Sequence, residues 1–366
     1  MHDRPILLSY LGTVPRLGPG ARLAPEAAVI GRVDAGERLI AGRLATIRAD
    51  GHDIRIGAEC SFAERSTLHI VDSLLPCIVG DRVTVGRYAL VHACTIGDGC
   101  VIGDGAVVMD GAVVGAGAVI AAGAMVPPRK QLEGGWLYAG SPAQPVRRID
   151  AAEADTARLA LLSGNRSDLL QSALLPPLET EAFRARAGGE GPLLRLGGAE
   201  PSLGARAYVA PSAVVAGDVR IAADASVWFA NVVWAGGARI RIGERTNIQD
   251  NSLLEADGER GGITIGNDVT VGHNVRMGSC VVEDDCLIGM GAEVSDGVVV
   301  ERGACVAGHA VVAPGTVVRA GWIWAGRPAR EFRPVRPGEV EIFRRGKDVY
   351  VGYGHAYLDS AHPVAA

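Results

Sequence analysis

The sequence predicts an all-β core built from two parallel β-helix domains with accessory α-helices. Three observations predict it: a six-residue apolar beat, a second copy of that beat, and a composition suited to tight corners. Apolar anchors fall at Val79, Val85, Val91, Ile96, Ile102, Val108, Val114, Ile120 and Val126, in steps of six with a single step of five. They fall again at Ile265, Val271, Met277, Val282, Ile288, Val294, Val300, Val306 and Val312, with the short step at the same place. Neither the helical period nor simple strand alternation produces this spacing. Short strands joined by turns do, three strands to a coil, each anchor pointing inward so that one rung covers the next. Gly is abundant at 50 residues and aromatics are scarce at 5%, which fits many corners and little helical packing.

The elements follow in order. "APEAAVIG" at Ala24 matches "APSAVVAG" at Ala210, "IRIG" at Ile54 matches "IRIG" at Ile240, and "GWLYAGSPAQPVR" at Gly135 matches "GWIWAGRPAREFR" at Gly321; each pair is offset by 186 residues. Residues 1–149 and 196–336 therefore read as two equivalent coils. Residues 150–195 open on an Ala- and Leu-rich stretch with a helical pattern, broken at Pro176-Pro177 and ended by "GGEG", so they read as a helical segment and linker. Residues 337–366 read as a helical or irregular tail. Trp136 and Trp322, in the matching "GW" segments, are expected to cover the coil ends.

Composition narrows the function. A net charge of −5 offers no basic surface for nucleic acid or an anionic membrane. The opening "MHDRPILLSYLG" holds no run long enough for a signal peptide or a spanning helix, so a cytoplasmic location is expected. The seven cysteines show no CxxC pairing and fall mostly within strand patterns; they read as small buried hydrophobes in a reducing compartment.

The motifs are more specific. "SVWFANVVWAGGARIRIGERTNIQDNSLLEA", followed by "ITIGNDVTVGHNVRMGSC", closely resembles the gamma-class carbonic anhydrase family of hexapeptide-repeat proteins, and so does "STLHI" with "VGDRVTVGRYALVHACTIGDG". The likeness covers nearly all of both coils. It implies left-handed β-helices arranged in threes, with zinc held between neighbours by three histidines. One histidine belongs to a "LH" step, one to "VGH", and one follows the second by five residues. The family draws the first and third from one subunit and the middle one from its neighbour.

Carried over position by position, the pattern splits. The first histidine is His69 in coil one and Glu255 in coil two. The second is Arg87 in coil one and His273 in coil two. The third is His92 in coil one and Gly278 in coil two. Neither coil has the full set, but together they hold one, divided as the family divides it. The hexad count adds that His69 and His92 follow anchors Leu68 and Val91, so they should project from one column. The other family positions divide along the same line. Coil two keeps Asn247, Gln249 and Asp250 against Ser61, Ala63 and Glu64, and coil one keeps Arg48 and Asp50 against Trp234 and Gly236.

The resemblance thus implies a zinc-dependent lyase that hydrates carbon dioxide to bicarbonate. His69, His92 and His273 are its ligands, with iron or cobalt able to replace zinc. Gln249 and Asn247 would order water, and Arg48 would brace the interface with Asp250. Arg87 and Glu255 would face each other at a second, metal-free interface. Glu259, in a Gly-rich loop, reads equally as a turn residue or a proton shuttle. The partners expected are the small-molecule substrate and further copies in a homo-oligomer or trimer-like ring of domains. Two other readings fit the repeats: an acyl- or acetyltransferase-like enzyme using a coenzyme A thioester, and a non-catalytic assembly subunit.

Overall fold

A computed structural model describes residues 4–163, 183–184, 191–360 and 362–363. The chain divides into two compact units, one of Pro15–Glu181 and one of Met1–Val14 with Ala182–Ala366. Each is built around a parallel β-solenoid of left-handed hexapeptide-repeat type.

In the first unit the chain visits three faces in rotation. Thr67–His69, Leu90–His92, Val107–Val108 and Met125–Val126 stack on the first face, and Cys77–Val79, Thr95–Ile96, Val113–Val114 and Gln131–Leu132 on the second. Ser61–Phe62, Thr84–Val85, Val101–Ile102 and Val119–Ile120 stack on the third. All of these pairings are parallel and in register, as in Val85↔Ile102 and Ile102↔Ile120. Every anchor of the six-residue beat is at most 3% exposed. Each such Val or Ile contributes roughly 1.5–3 kcal/mol of burial. The beat is therefore the core itself, a column of β-branched side chains filling a triangular tube. The longer strand Thr46–Ile56 turns a corner, pairing Thr46–Arg48 with the first face and Ile54–Ile56 with the second.

Corners need left-handed backbone. Gly105, at φ +66°, supplies it without a side chain. Asn274, at φ +58°, is one of the residue types that tolerate it.

The first coil ends in an antiparallel hairpin, Trp136–Ala139 against Gln144–Arg148, with the Arg148 guanidinium 4.9 Å from the Trp136 ring centre. A helix follows over Ala151–Leu162. Asp150 and Glu153 form a capping box at its N-terminus, each side chain accepting from the other's backbone N–H. The linker expected beyond it falls largely on residues 164–182 and 185–190, outside the described residues.

The second unit repeats the plan, with its anchors at most 2% exposed. Its closing hairpin pairs Trp322–Gly326 with Ala329–Pro334. The tail forms a long helix, Pro337–Ser360, which buries Lys347, Tyr350, Tyr353, Gly354 and Tyr357. Their spacing of three and four places them on one stripe. The ring of Tyr357 lies 5.1 Å from Trp228, 5.3 Å from Tyr208 and 5.0 Å from Tyr10. Strand Ile6–Ser9 pairs with His362–Pro363 in the same unit. All seven cysteines are buried free thiols. Among the described residues no helix is long and apolar enough to cross a membrane.

Candidate metal centre

The rung register of the first coil assembles the histidines of its first face. Arg48 pairs with His69, and His69 with His92. The residues before them, Ile47, Leu68 and Val91, are fully buried anchors. Strand alternation therefore turns Arg48, His69 and His92 out of the tube in one column. All three are buried nonetheless, at 0%, 2% and 4% exposure.

Burial forces each polar group to find a partner. Arg48 forms a fully buried ion pair with Asp50 through Oδ2, and Asp50 Oδ1 lies 3.1 Å from His69 Nε2. His92 Nδ1 lies 2.5 Å from Asp110 Oδ1. A carboxylate accepts, so each of these ring nitrogens carries the proton. His69 Nδ1 and His92 Nε2 face each other at 3.2 Å. In a tetrahedral site with nitrogen about 2.0–2.1 Å from the ion, two ligand nitrogens stand about 3.3 Å apart. The pair thus has the separation of two ligands of one cation.

The second unit places His273 at the corner after strand Thr270–Val271. Its Nδ1 lies 3.1 Å from Asp250 Oδ2, and both side chains are fully buried. Asp250 Oδ1 accepts from the Phe229 N–H at 3.0 Å, which fixes the carboxylate. The contact sets the Asp250 carboxylate beside the imidazole at ion-pair distance. Gln249 Nε2 donates to Asn247 Oδ1 at 3.2 Å, and Asn247 Nδ2 donates to Thr270 Oγ1 at 3.0 Å. His69 and His92 in the first unit, and His273 in the second, are all buried, and each carries a ring nitrogen able to ligate a metal.

The positions where the histidines are lost look different. Arg87 pairs with Asp104 at 2.8 Å, and its backbone N–H donates to the same carboxylate. Glu255 is exposed on strand Leu253–Asp257. His52 accepts from the Asp53 N–H within a turn, and His355 pairs with Asp224 at 2.7 Å. Burial, then Cys77, pushes the Cys94 thiol well up, so two residues from His92 it remains protonated and does not compete as a thiolate.

Asp110 was not singled out from the sequence. Its "MDG" corner looks like any other turn. The available signal was its place one rung beyond His92, where a carboxylate reaches a ring nitrogen.

Residues 93–128 match the family described as bacterial transferase hexapeptide, six repeats. The chain is 37% identical over 154 residues to Protein YrdA of Escherichia coli, a match covering 40% of this chain and 84% of YrdA. It is 35% identical over 171 residues to gamma carbonic anhydrase 1, mitochondrial, of Arabidopsis thaliana, covering 45% of this chain and 62% of that protein. A solved structure from Desulfovibrio desulfuricans G20, an acetyltransferase by provisional assignment, matches its fold over 97% of this chain and 83% of that one. The TM-score is 0.56 at 14% identity. The chain belongs to the hexapeptide-repeat family of left-handed β-helix proteins, on the gamma-carbonic-anhydrase-like and acetyltransferase-like branch, with the fold present twice in tandem.

Proposed function

We propose that the chain is a gamma-class carbonic anhydrase-like lyase, hydrating carbon dioxide to bicarbonate with zinc held by His69, His92 and His273. The observation that carries this reading is the pair of ring nitrogens on His69 and His92 facing each other at 3.2 Å, each ring with its own carboxylate beside it. His273, oriented by Asp250, supplies the third imidazole. The charge fits a dication: the carboxylates of Asp50, Asp110 and Asp250 against the guanidinium of Arg48 leave two negative charges. Three neutral imidazoles also accept iron or cobalt.

When bound, the ion supplies Lewis acidity that makes water a nucleophile near neutral pH. The protein residues do the rest. Asp50 and Asp110 hold the protons on His69 Nε2 and His92 Nδ1, so the opposite nitrogens present lone pairs, and Asp250 stands beside His273. Gln249 and Asn247, tied together by their amides, hold and orient the reacting water. Arg48 neutralises Asp50 and holds it against His69. Hydration adds water across carbon dioxide and releases one proton with each bicarbonate.

Similarity to gamma carbonic anhydrase 1 supports this reading, as does the partition of ligand types between the coils. The test is zinc content with stopped-flow carbon dioxide hydration. The purified chain should hold zinc and hydrate carbon dioxide above the uncatalysed rate; a chain that retains no metal after loading overturns the proposal. The transferase-hexapeptide match over residues 93–128 favours a second reading, acyl transfer from a coenzyme A thioester. A thermal shift with coenzyme A, absent zinc dependence, would select it.

A further inference from the structure

We infer that Asp110 is the positioning residue that makes His92 a ligand, by holding the proton on Nδ1 so that Nε2 faces the ion. The inference rests on the metal reading above. The contact is His92 Nδ1 to Asp110 Oδ1 at 2.5 Å, between a ring 5% exposed and a carboxylate 34% exposed. Asp110 follows strand Val107–Val108, the rung directly beyond Leu90–His92, and so reaches back to the ring from one rung away.

The second coil shows that this is a specialised use of the position. Asp296 stands 186 residues beyond Asp110, in the same corner. There the carboxylate accepts from the Ser279 backbone N–H at 2.8 Å. The residue equivalent to Ser279 is Ala93, whose N–H donates instead to the His69 carbonyl at 2.8 Å. One aspartate caps backbone and its duplicate faces an imidazole. The residue equivalent to His92 is Gly278, and a Cβ built there would stand 2.2 Å from Asp296 Oδ1. A side chain at that position and a capping aspartate exclude each other. Where the histidine is kept, the carboxylate has swung onto it.

Second-layer carboxylates of this kind are worth 10–100-fold in metal affinity. The test uses the full chain, with Asp110→Ala, Asp110→Asn and, as the duplicate control, Asp296→Ala. Zinc and cobalt affinities are read by chelator competition. The protonated nitrogen of His92 is read in the metal-free protein by nitrogen-15 NMR of histidine-labelled chain, assigned with His92→Gln. Asp110→Ala should weaken both metals 10–100-fold and mix the two tautomers of His92. Asp110→Asn, which keeps an acceptor without the charge, should weaken them less and keep the Nδ1 proton. Asp296→Ala should leave affinity within twofold. If Asp110→Ala does not fold, Asp110→Asn decides: affinity unchanged to within twofold overturns the inference. Wild-type chain that binds neither metal would overturn the proposed function, and the metal-free NMR comparison would still decide the role of Asp110.

Discussion

At the scale of single residues, each proposed metal ligand is a histidine with a carboxylate beside it. His69, His92 and His273 each have one within 3.1 Å. His69→Ala and His273→Ala should each reduce bound zinc to background, measured by elemental analysis, although the residues lie 204 positions apart. Retention of zinc by either variant would refute the shared ligand set. Restoring the lost histidine should not rebuild a site by itself. Gly278→His places a side chain against Asp296, so it should destabilise the chain by roughly 1–3 kcal/mol in urea unfolding. Adding Asp296→Ala should recover part of that loss. The histidines were legible because their motifs are linear, "TLH" and "TVGH". The carboxylate of Asp110 was not, because "DG" corners occur in both coils and only the neighbouring rung decides what each aspartate meets.

At the scale of elements, the strands were legible from the hexad, since each anchor is an inward residue and the period is the rung. The terminal helix was half legible. Its sequence allowed a helix or an irregular tail, and its partners Tyr10, Tyr208 and Trp228 lie far away in the chain. Charged contacts help to fasten it: Lys347 to Asp285 at 3.2 Å, His355 to Asp224 at 2.7 Å, Arg206 to Asp359 at 2.8 Å, and Arg245 to Asp348. The aromatic stripe outweighs the exposed pairs among them, because such pairs contribute at most about 1 kcal/mol. Tyr357→Ala should therefore cost on the order of 3 kcal/mol, read from the thermal midpoint. At the start of the helix, Glu339 accepts from Arg333 at 2.6 and 2.8 Å and from the Arg336 N–H at 2.9 Å. Arg333 first, and Arg336 second, push its carboxyl down to about 2 from its ordinary 4.5. A depressed carboxyl stabilises the fold above its unfolded value and loses that contribution as pH falls through the folded one. The wild-type helix should loosen between about pH 4.5 and 2, and Glu339→Gln should show a smaller transition by far-UV circular dichroism.

At the scale of the whole chain, duplication allowed specialisation. The offset of 186 residues was legible from quoted segments alone, and so was the complementary partition of ligands. One coil keeps Arg48, Asp50, His69 and His92; the other keeps Asn247, Gln249, Asp250 and His273. Two intact coils would bring two ions per chain, and two decayed ones none. The partition predicts one zinc per chain at saturation, measured by native mass spectrometry with elemental analysis. A value near two would mean that each coil completes a site by other residues.

Gly278 and Asp296 also bear on history. A mutation returning histidine to position 278 meets a carboxylate 2.2 Å from its Cβ, and a mutation removing that carboxylate first strips the Ser279 N–H of its acceptor. Either order passes through a weakened intermediate. A histidine at position 278 therefore requires Asp296 to turn off the backbone, the arrangement that Asp110 already has in the first coil.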